Sequence, residues 1–203
     1  MSKIVLIGAS GNAGSRILKE LSDRGHIVTA IARNADKIEA LPNVTSVSGD
    51  LYDTEKFAEL LAGHDAVISS VMFVSSDAQS LIDAVRKSGV KRYLVVGGAG
   101  SLEVAPGQRV VDQPGFPEEY KGEALGGAKF LDALKSTDDL DWTFLSPSAE
   151  FVPGERTGQF RLGKDTLLSN ENGSSISFED YAIALVDELE NPKHTRERFT
   201  VGY

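Results

Sequence analysis

The chain has 203 residues, 41% hydrophobic and 25% charged, which is ordinary for a soluble globular domain and enough to bury one core. Its 21 basic against 30 acidic residues leave a formal net charge of −9, which argues against a broad basic surface for nucleic acid. With no cysteine there is no disulfide, thiolate nucleophile or cysteine metal site. The histidines, His26, His64 and His194, are scattered without metal-ligand spacing, so no metal is expected. No apolar run approaches the roughly 20 residues of a membrane span. The first apolar run follows directly on Lys3 without a separate signal-like segment, so a cytoplasmic setting is expected.

Apolar runs alternate with helical patterns from the start. Ile4-Val5-Leu6-Ile7 reads as a strand buried on both faces. Residues 12–24 place Ile17, Leu18 and Leu21 at helical spacing, closed by Gly25. Residues 27–31 form the second strand, and Asn34 begins a short helix to about Leu41, ended by Pro42. A third strand over 44–47, a helix over 54–62, a fourth strand over 66–68, a helix over about 77–88 and a fifth strand over 93–96 continue the alternation. The fifth strand runs out into Gly97-Gly98-Ala99-Gly100. His26 and His64, each beside a turn glycine, are expected at the surface.

The second half changes character. Pro106, Gly107, Pro114, Gly115 and Pro117 mark residues 101–117 as a long loop, followed by a helix over about 118–136 and a strand over 142–145 stopped by Pro147. Residues 149–177 are rich in Gly, Pro, Ser and Asn, with short extended pieces such as Gln159-Phe160-Arg161. A helix over 178–189 and a strand over 198–201 close the chain. Strict alternation implies an α/β fold: a doubly wound parallel sheet of Rossmann type, in one domain, with the second half as a small cap over the strand ends.

Gly8-Ala9-Ser10-Gly11-Asn12-Ala13-Gly14 joins the first strand to the first helix. Such a turn needs glycine where the chain bends sharply and where a side chain would collide with a phosphate, and the first amides of the helix favour an anion. Its place in a βαβ unit makes it a pyrophosphate-binding turn for a nicotinamide dinucleotide. Gly8, Ser10, Gly11, Asn12, Ala13 and Gly14 are therefore expected to hold the cofactor. NAD-specific enzymes usually end the second strand with an acid for the ribose hydroxyls. Here the chain reads Ala32-Arg33-Asn34, with Lys37 one turn on, so Arg33 and Lys37 suit a 2′-phosphate and NADP(H) is expected to be preferred, with NAD(H) possible. Asp50 and Leu51, after the third strand, are expected beside the adenine.

These residues, together with Gly97-Gly98-Ala99-Gly100-Ser101, Asp141 to Pro147 and Ile176-Ser177-Phe178-Glu179-Asp180, resemble the atypical short-chain dehydrogenase/reductases, in particular the group named NADH-flavin reductases and the related biliverdin-IXβ reductases. The resemblance covers nearly the whole chain. It implies a nicotinamide near Ser69–Phe73, Gly97–Ser101 and Ser146–Glu150, and so assigns Ser69, Gly97, Gly98 and Pro147 to the cofactor.

One departure bears on the chemistry. Short-chain dehydrogenases typically carry Tyr-x-x-x-Lys on the fifth helix, whereas here Tyr120 is followed four residues on by Ala124. Tyr120 and Ser101 are the two candidate catalytic hydroxyls. Tyr120 lacks its lysine and reads better as a surface or packing residue, and Ser101 suits both a donor near the nicotinamide and a cap of the glycine turn. A hydride acceptor of flavin or quinone type takes its proton from solvent and makes do without an acid–base pair. Phe73, Phe116, Phe151 and Phe160 are expected to offer it a stacking floor. Three readings follow: an NAD(P)H-dependent reductase acting on a small-molecule acceptor, a cofactor-binding sensor without turnover, and a sugar-nucleotide epimerase or reductase. A monomer or homodimer is expected, with neither nucleic acid nor membrane as partner.

Overall fold

A computed structural model describes all 203 residues. The first half runs β1 (Lys3–Ile7), α1 (Asn12–Asp23), β2 (Ile27–Ala32), β3 (Val44–Ser48), α2 (Thr54–Leu61), β4 (Ala66–Ser69), α3 (Ala78–Ser88) and β5 (Arg92–Val96). The second half adds β6 (Glu103–Ala105), β7 (Gln108–Arg109), α4 (Glu118–Lys135), β8 (Asp141–Ser146), β9 (Glu150–Val152), β10 (Arg161–Gly163), β11 (Ser175–Ser177), α5 (Phe178–Glu190) and β12 (Glu197–Gly202). One eight-stranded sheet has the order β10-β12-β8-β5-β4-β1-β2-β3. Every pairing in it is parallel except that of the edge strand β10, which runs antiparallel to β12. This is a single Rossmann-type domain.

The alternation of β1 shows why both sheet faces are apolar. Ile4 and Leu6 enter a core cluster with α1 and α5, while Val5 and Ile7 enter a second with α2, α3 and α4. No helix is long and apolar enough to cross a membrane.

Three expectations differ from what forms. The helix anticipated after Asn34 is a single 3₁₀ turn, Ala35–Lys37. Asn34 accepts from the Asp36 amide at 3.0 Å, and the few residues before Pro42 cannot nucleate an α-helix. The loop over 101–117 contains the hairpin of β6 and β7, because Pro106-Gly107 makes a tight turn with Gly107 at φ +74°. His26 is buried, at 3% exposure, rather than a surface turn residue. It accepts from the Ser2 amide at 3.2 Å and lies 2.8 Å from Glu190 of α5, so the end of α1 is tied beneath α5. His64 is half-buried between Thr29 Oγ1, at 2.9 Å, and the Leu61 carbonyl, at 3.0 Å.

Candidate functional site: a dinucleotide cleft at the strand ends

The sheet reverses its winding at β1, which pairs with β2 on one side and β4 on the other. Ligands of doubly wound sheets lie at the carboxyl ends of the strands at such a switch point, and the glycine turn lies there. Gly8 has φ +80°, and a Cβ on it would fall 1.9 Å from the Ser70 carbonyl oxygen. A Cβ on Gly14 would fall 2.0 Å from the Gly8 carbonyl oxygen. Gly11 is open, with its nearest atom 3.4 Å away, and is the N-cap of α1 without any side-chain cap. No acidic residue lies in the first turn of α1. Ser10, Gly11 and Asn12 are exposed, and Ala13 is buried. The turn is thus a cradle that larger residues would fill, ending in helix amides that no carboxylate neutralises. It fits a pyrophosphate.

On the β2–β3 side, Arg33 and Lys37 are exposed and neither takes part in an ion pair of the protein. The turn between them is held by the Ala35 amide donating to Ser48 Oγ at 3.2 Å and by the Asn34 cap. Asp50 is exposed and caps its own loop, accepting from the Tyr52 amide at 2.9 Å. Leu51 is half-buried against the second core cluster. Two free cations and the Asp50 carboxylate therefore border this half of the cleft.

The β4–β5–β8 side corrects several expectations. Ser69 is 1% exposed, and its hydroxyl pairs with the fully buried Tyr93 hydroxyl at 2.9 Å, so it faces the core rather than a ligand. Burial pushes the Tyr93 phenol well above its ordinary pKa. Gly97 is packed so closely that a Cβ would fall 2.4 Å from the Phe144 ring, while Gly98 is half-exposed and open. Pro147 is buried at the end of β8. Tyr120 is 60% exposed on the first turn of α4. Ser101 is not a cap of the glycine turn: its hydroxyl accepts from Arg198 Nη1 at 3.0 Å.

The four phenylalanines do not form one floor. Phe73 packs edge-on to Phe130 and stacks on Phe144, on the α4 face of the sheet. Phe151 packs against Phe178 and Tyr181, and Phe160 joins the same cluster on the α1–α5 face. Phe116 is half-buried and belongs to neither cluster.

Three structural ties around the fold escape a reading of the sequence. Glu123 of α4 accepts from the Phe73 and Val74 amides, at 2.8 and 3.0 Å, and so clamps the loop after β4. The glycines Gly122, Gly126 and Gly127 admit that loop: a Cβ on Gly126 would fall 2.9 Å from Phe73 Cβ. Three glycines inside one helix were a visible signal of such an approach. Second, residues 153–158 are strapped over α1 and α5. Arg156 makes a two-pronged pair with Glu20, both contacts at 2.9 Å, and the Gly154 amide donates to Glu179. Asp180, fully buried, accepts from the Thr157 and Gly158 amides and from the Thr157 and Tyr203 hydroxyls. Burial alone would raise the Asp180 pKa, but these hydrogen bonds outweigh it and hold the carboxyl below its usual range. Third, Arg198 of β12 is buried beneath Ser101.

A family model described as NAD(P)H-binding matches residues 8–192. The uncharacterised protein YwnB of Bacillus subtilis is 46% identical, over 98% of this chain and 97% of its own length. A solved structure from Bacteroides thetaiotaomicron, named as a candidate epimerase, is 44% identical with a TM-score of 0.94, covering 99% of this chain and 96% of that one. A candidate NADH-flavin reductase from Streptococcus pneumoniae is 39% identical with a TM-score of 0.87, covering 100% and 99%.

Proposed function

The chain belongs to the NAD(P)H-binding family of oxidoreductase-like proteins, and on that premise we propose that it is a reductase using NADPH on a flat, conjugated acceptor of flavin or quinone type. The observation that carries this reading is Ala124. It stands one turn along α4 from Tyr120, where a lysine would steady a catalytic tyrosine. The Gly100 backbone packs onto it so closely that a Cβ on Gly100 would fall 2.6 Å from Ala124 Cβ. No lysine chain extends in that direction, so α4 builds no acid–base pair. An acceptor whose proton comes from water suits such a site. The same alanine argues against epimerisation through a Tyr-x-x-x-Lys pair.

When bound, NADPH would supply the hydride and its electron pair. The glycine turn and the first amides of α1 hold the pyrophosphate, and Arg33, with Lys37, takes the 2′-phosphate, which is why NADP(H) is preferred over NAD(H). Asp50 and Leu51 would border the adenine, and Gly98, open past the end of β5, would leave room for the nicotinamide. The clamp of Glu123 on the Phe73 and Val74 amides keeps the loop after β4 in place at the strand ends. The partner is a small molecule, and a cytoplasmic setting, where the reduced dinucleotide is regenerated, fits this use.

The test is steady-state loss of reduced-nicotinamide absorbance with flavin mononucleotide, riboflavin and a set of quinones. Turnover above the protein-free rate is expected with at least one. Confirmed NADPH binding without turnover on any of them would replace the reductase by a cofactor sensor.

A further inference from the structure

Arg198 is 8% exposed overall, and its guanidinium is spent almost entirely on one hydroxyl and its surroundings. Nη1 donates to Ser101 Oγ at 3.0 Å and to Ser146 Oγ at 3.4 Å. Nη2 donates to the Ser101 carbonyl at 3.2 Å, and Nε donates to Asp165 at 2.9 Å. Guanidinium has donors only. The Ser101 oxygen is therefore fixed as an acceptor toward Arg198, and its own O–H has no acceptor within the protein. Ser101 is half-exposed in the turn that links β5 to β6, held through Arg198 of β12 beside Ser146 at the carboxyl end of β8, on the other side of the switch point from Arg33.

We propose that Arg198 is a positioning residue: it aims the Ser101 hydroxyl into the cleft as the hydrogen-bond donor to the acceptor, and its charge strengthens that donor. A hydroxyl that accepts from a cation donates more strongly. The acceptor class this selects is a planar ring with a carbonyl or imine atom conjugated to the carbon or nitrogen that takes the hydride. Charge builds on that atom as the hydride arrives, and water supplies the proton that completes the reduction. Ser101 is then the group that touches substrate, and Arg198 acts only through it. Asp165, 61% exposed on the loop before Thr166, holds the far side of the guanidinium and keeps it from turning toward solvent.

This inference rests on the reductase reading, and the experiment separates the two. NADPH oxidation with flavin mononucleotide is compared for the unaltered protein, Ser101→Ala, Arg198→Lys, Arg198→Met and the Ser101→Ala/Arg198→Met double variant. In parallel, lumiflavin binding to protein loaded with NADP⁺, where no turnover occurs, is followed by flavin fluorescence, and NADPH affinity by calorimetry. Ser101→Ala and Arg198→Met are each expected to lower kcat about tenfold and to weaken lumiflavin by a similar factor, with NADPH affinity unchanged. The double variant should be no worse than either single one, because both remove the same donor. Arg198→Lys should recover part of the loss, since it restores the charge without the two-nitrogen grip. Losses that multiply in the double variant would overturn the inference, as would an Arg198→Met protein that binds NADPH and turns over normally. Should Arg198→Met fail to fold, unaltered kcat and lumiflavin affinity in Arg198→Lys would overturn it instead. An unaltered protein that neither binds nor reduces flavin would overturn both readings. Lumiflavin binding that weakens in Ser101→Ala, with no turnover in any form, would sink the reductase and keep the contact.

Discussion

Gly14 and Gly8 meet so closely that a methyl group on the first would lie 2.0 Å from the carbonyl oxygen of the second. The third glycine of the turn thus sets how near α1 approaches β1, while a Cβ on Gly11 would meet the Gly8 carbonyl oxygen only at an ordinary contact distance, 3.4 Å. Gly14→Ala is expected to force the helix outward and cost about 1–3 kcal/mol in stability, the scale of an overpacked core. Gly11→Ala should leave stability within about 0.5 kcal/mol and weaken NADPH about tenfold by standing where a phosphate would sit. Urea unfolding and calorimetric titration check the pair. Equal stability losses in the two variants would contradict the assignment.

Arg33 is exposed, without an acidic partner, at the end of β2. Arg33→Ala should weaken NADPH by about 1–3 kcal/mol, the scale of a charge-assisted hydrogen bond, and leave NADH nearly unaltered. Calorimetry of both cofactors against the unaltered protein decides it. Equal affinities for NADPH and NADH before any mutation would remove the basis for the NADP preference.

Tyr120 stands 60% exposed, with Ala124 one turn beyond it. Tyr120→Phe should keep most of the reductase activity and leave cofactor affinity unchanged. A fall in kcat of about a hundredfold or more, set against the two to four decades general acid catalysis supplies, would show that another group activates the phenol.

Asp180 links pH to the strap at 153–158. Its carboxyl is held below the usual range, so its stabilising contribution is fully present above the unfolded value, near about 4. That contribution fades as pH falls through the lower folded value. Unfolding monitored from pH 7 downward should therefore show an acid-sensitive loss confined to below about pH 4. Asp180→Asn should cost about 2–4 kcal/mol at neutral pH, because an amide cannot accept from four donors, and should flatten that acid limb. An unchanged acid limb in the variant would assign the sensitivity to other carboxylates, Glu20 and Glu179 first.

Local chemistry was enough for the order of strands and helices in the first half, though not for the turn after Asn34 or for where His26 and Ser69 point. In the first half every strand but β3 is a short apolar run, each helix has its own cap or stop, and the glycine turn is recognisable from residues adjacent in the chain. Asp53 capping α2 and Gly25 closing α1 are contacts within a few residues, and periodicity reports such contacts directly. Composition likewise excluded thiol chemistry, since the chain has no cysteine, and position 124 declared the missing lysine without any coordinates.

Tertiary structure decided the rest, because the partners involved are far apart in the chain. Arg198 meets Ser101 across 97 positions, Glu123 meets Phe73 across 50, and Arg156 meets Glu20 across 136. Nothing in a local pattern distinguishes a buried, fully paired arginine in a final strand from an exposed one. The phenylalanines failed as a floor for the same reason: a residue's distance along the chain says which loop it is on, but only the strand register says which face of the sheet that loop covers. Ser69 went astray at finer scale. Its neighbours Ala66, Val67 and Ile68 are buried on both faces, and whether a serine at the strand's end points to the cleft or to Tyr93 depends on the partner strand β5. Hydrophobic periodicity specifies what must be buried, and long-range packing specifies against what.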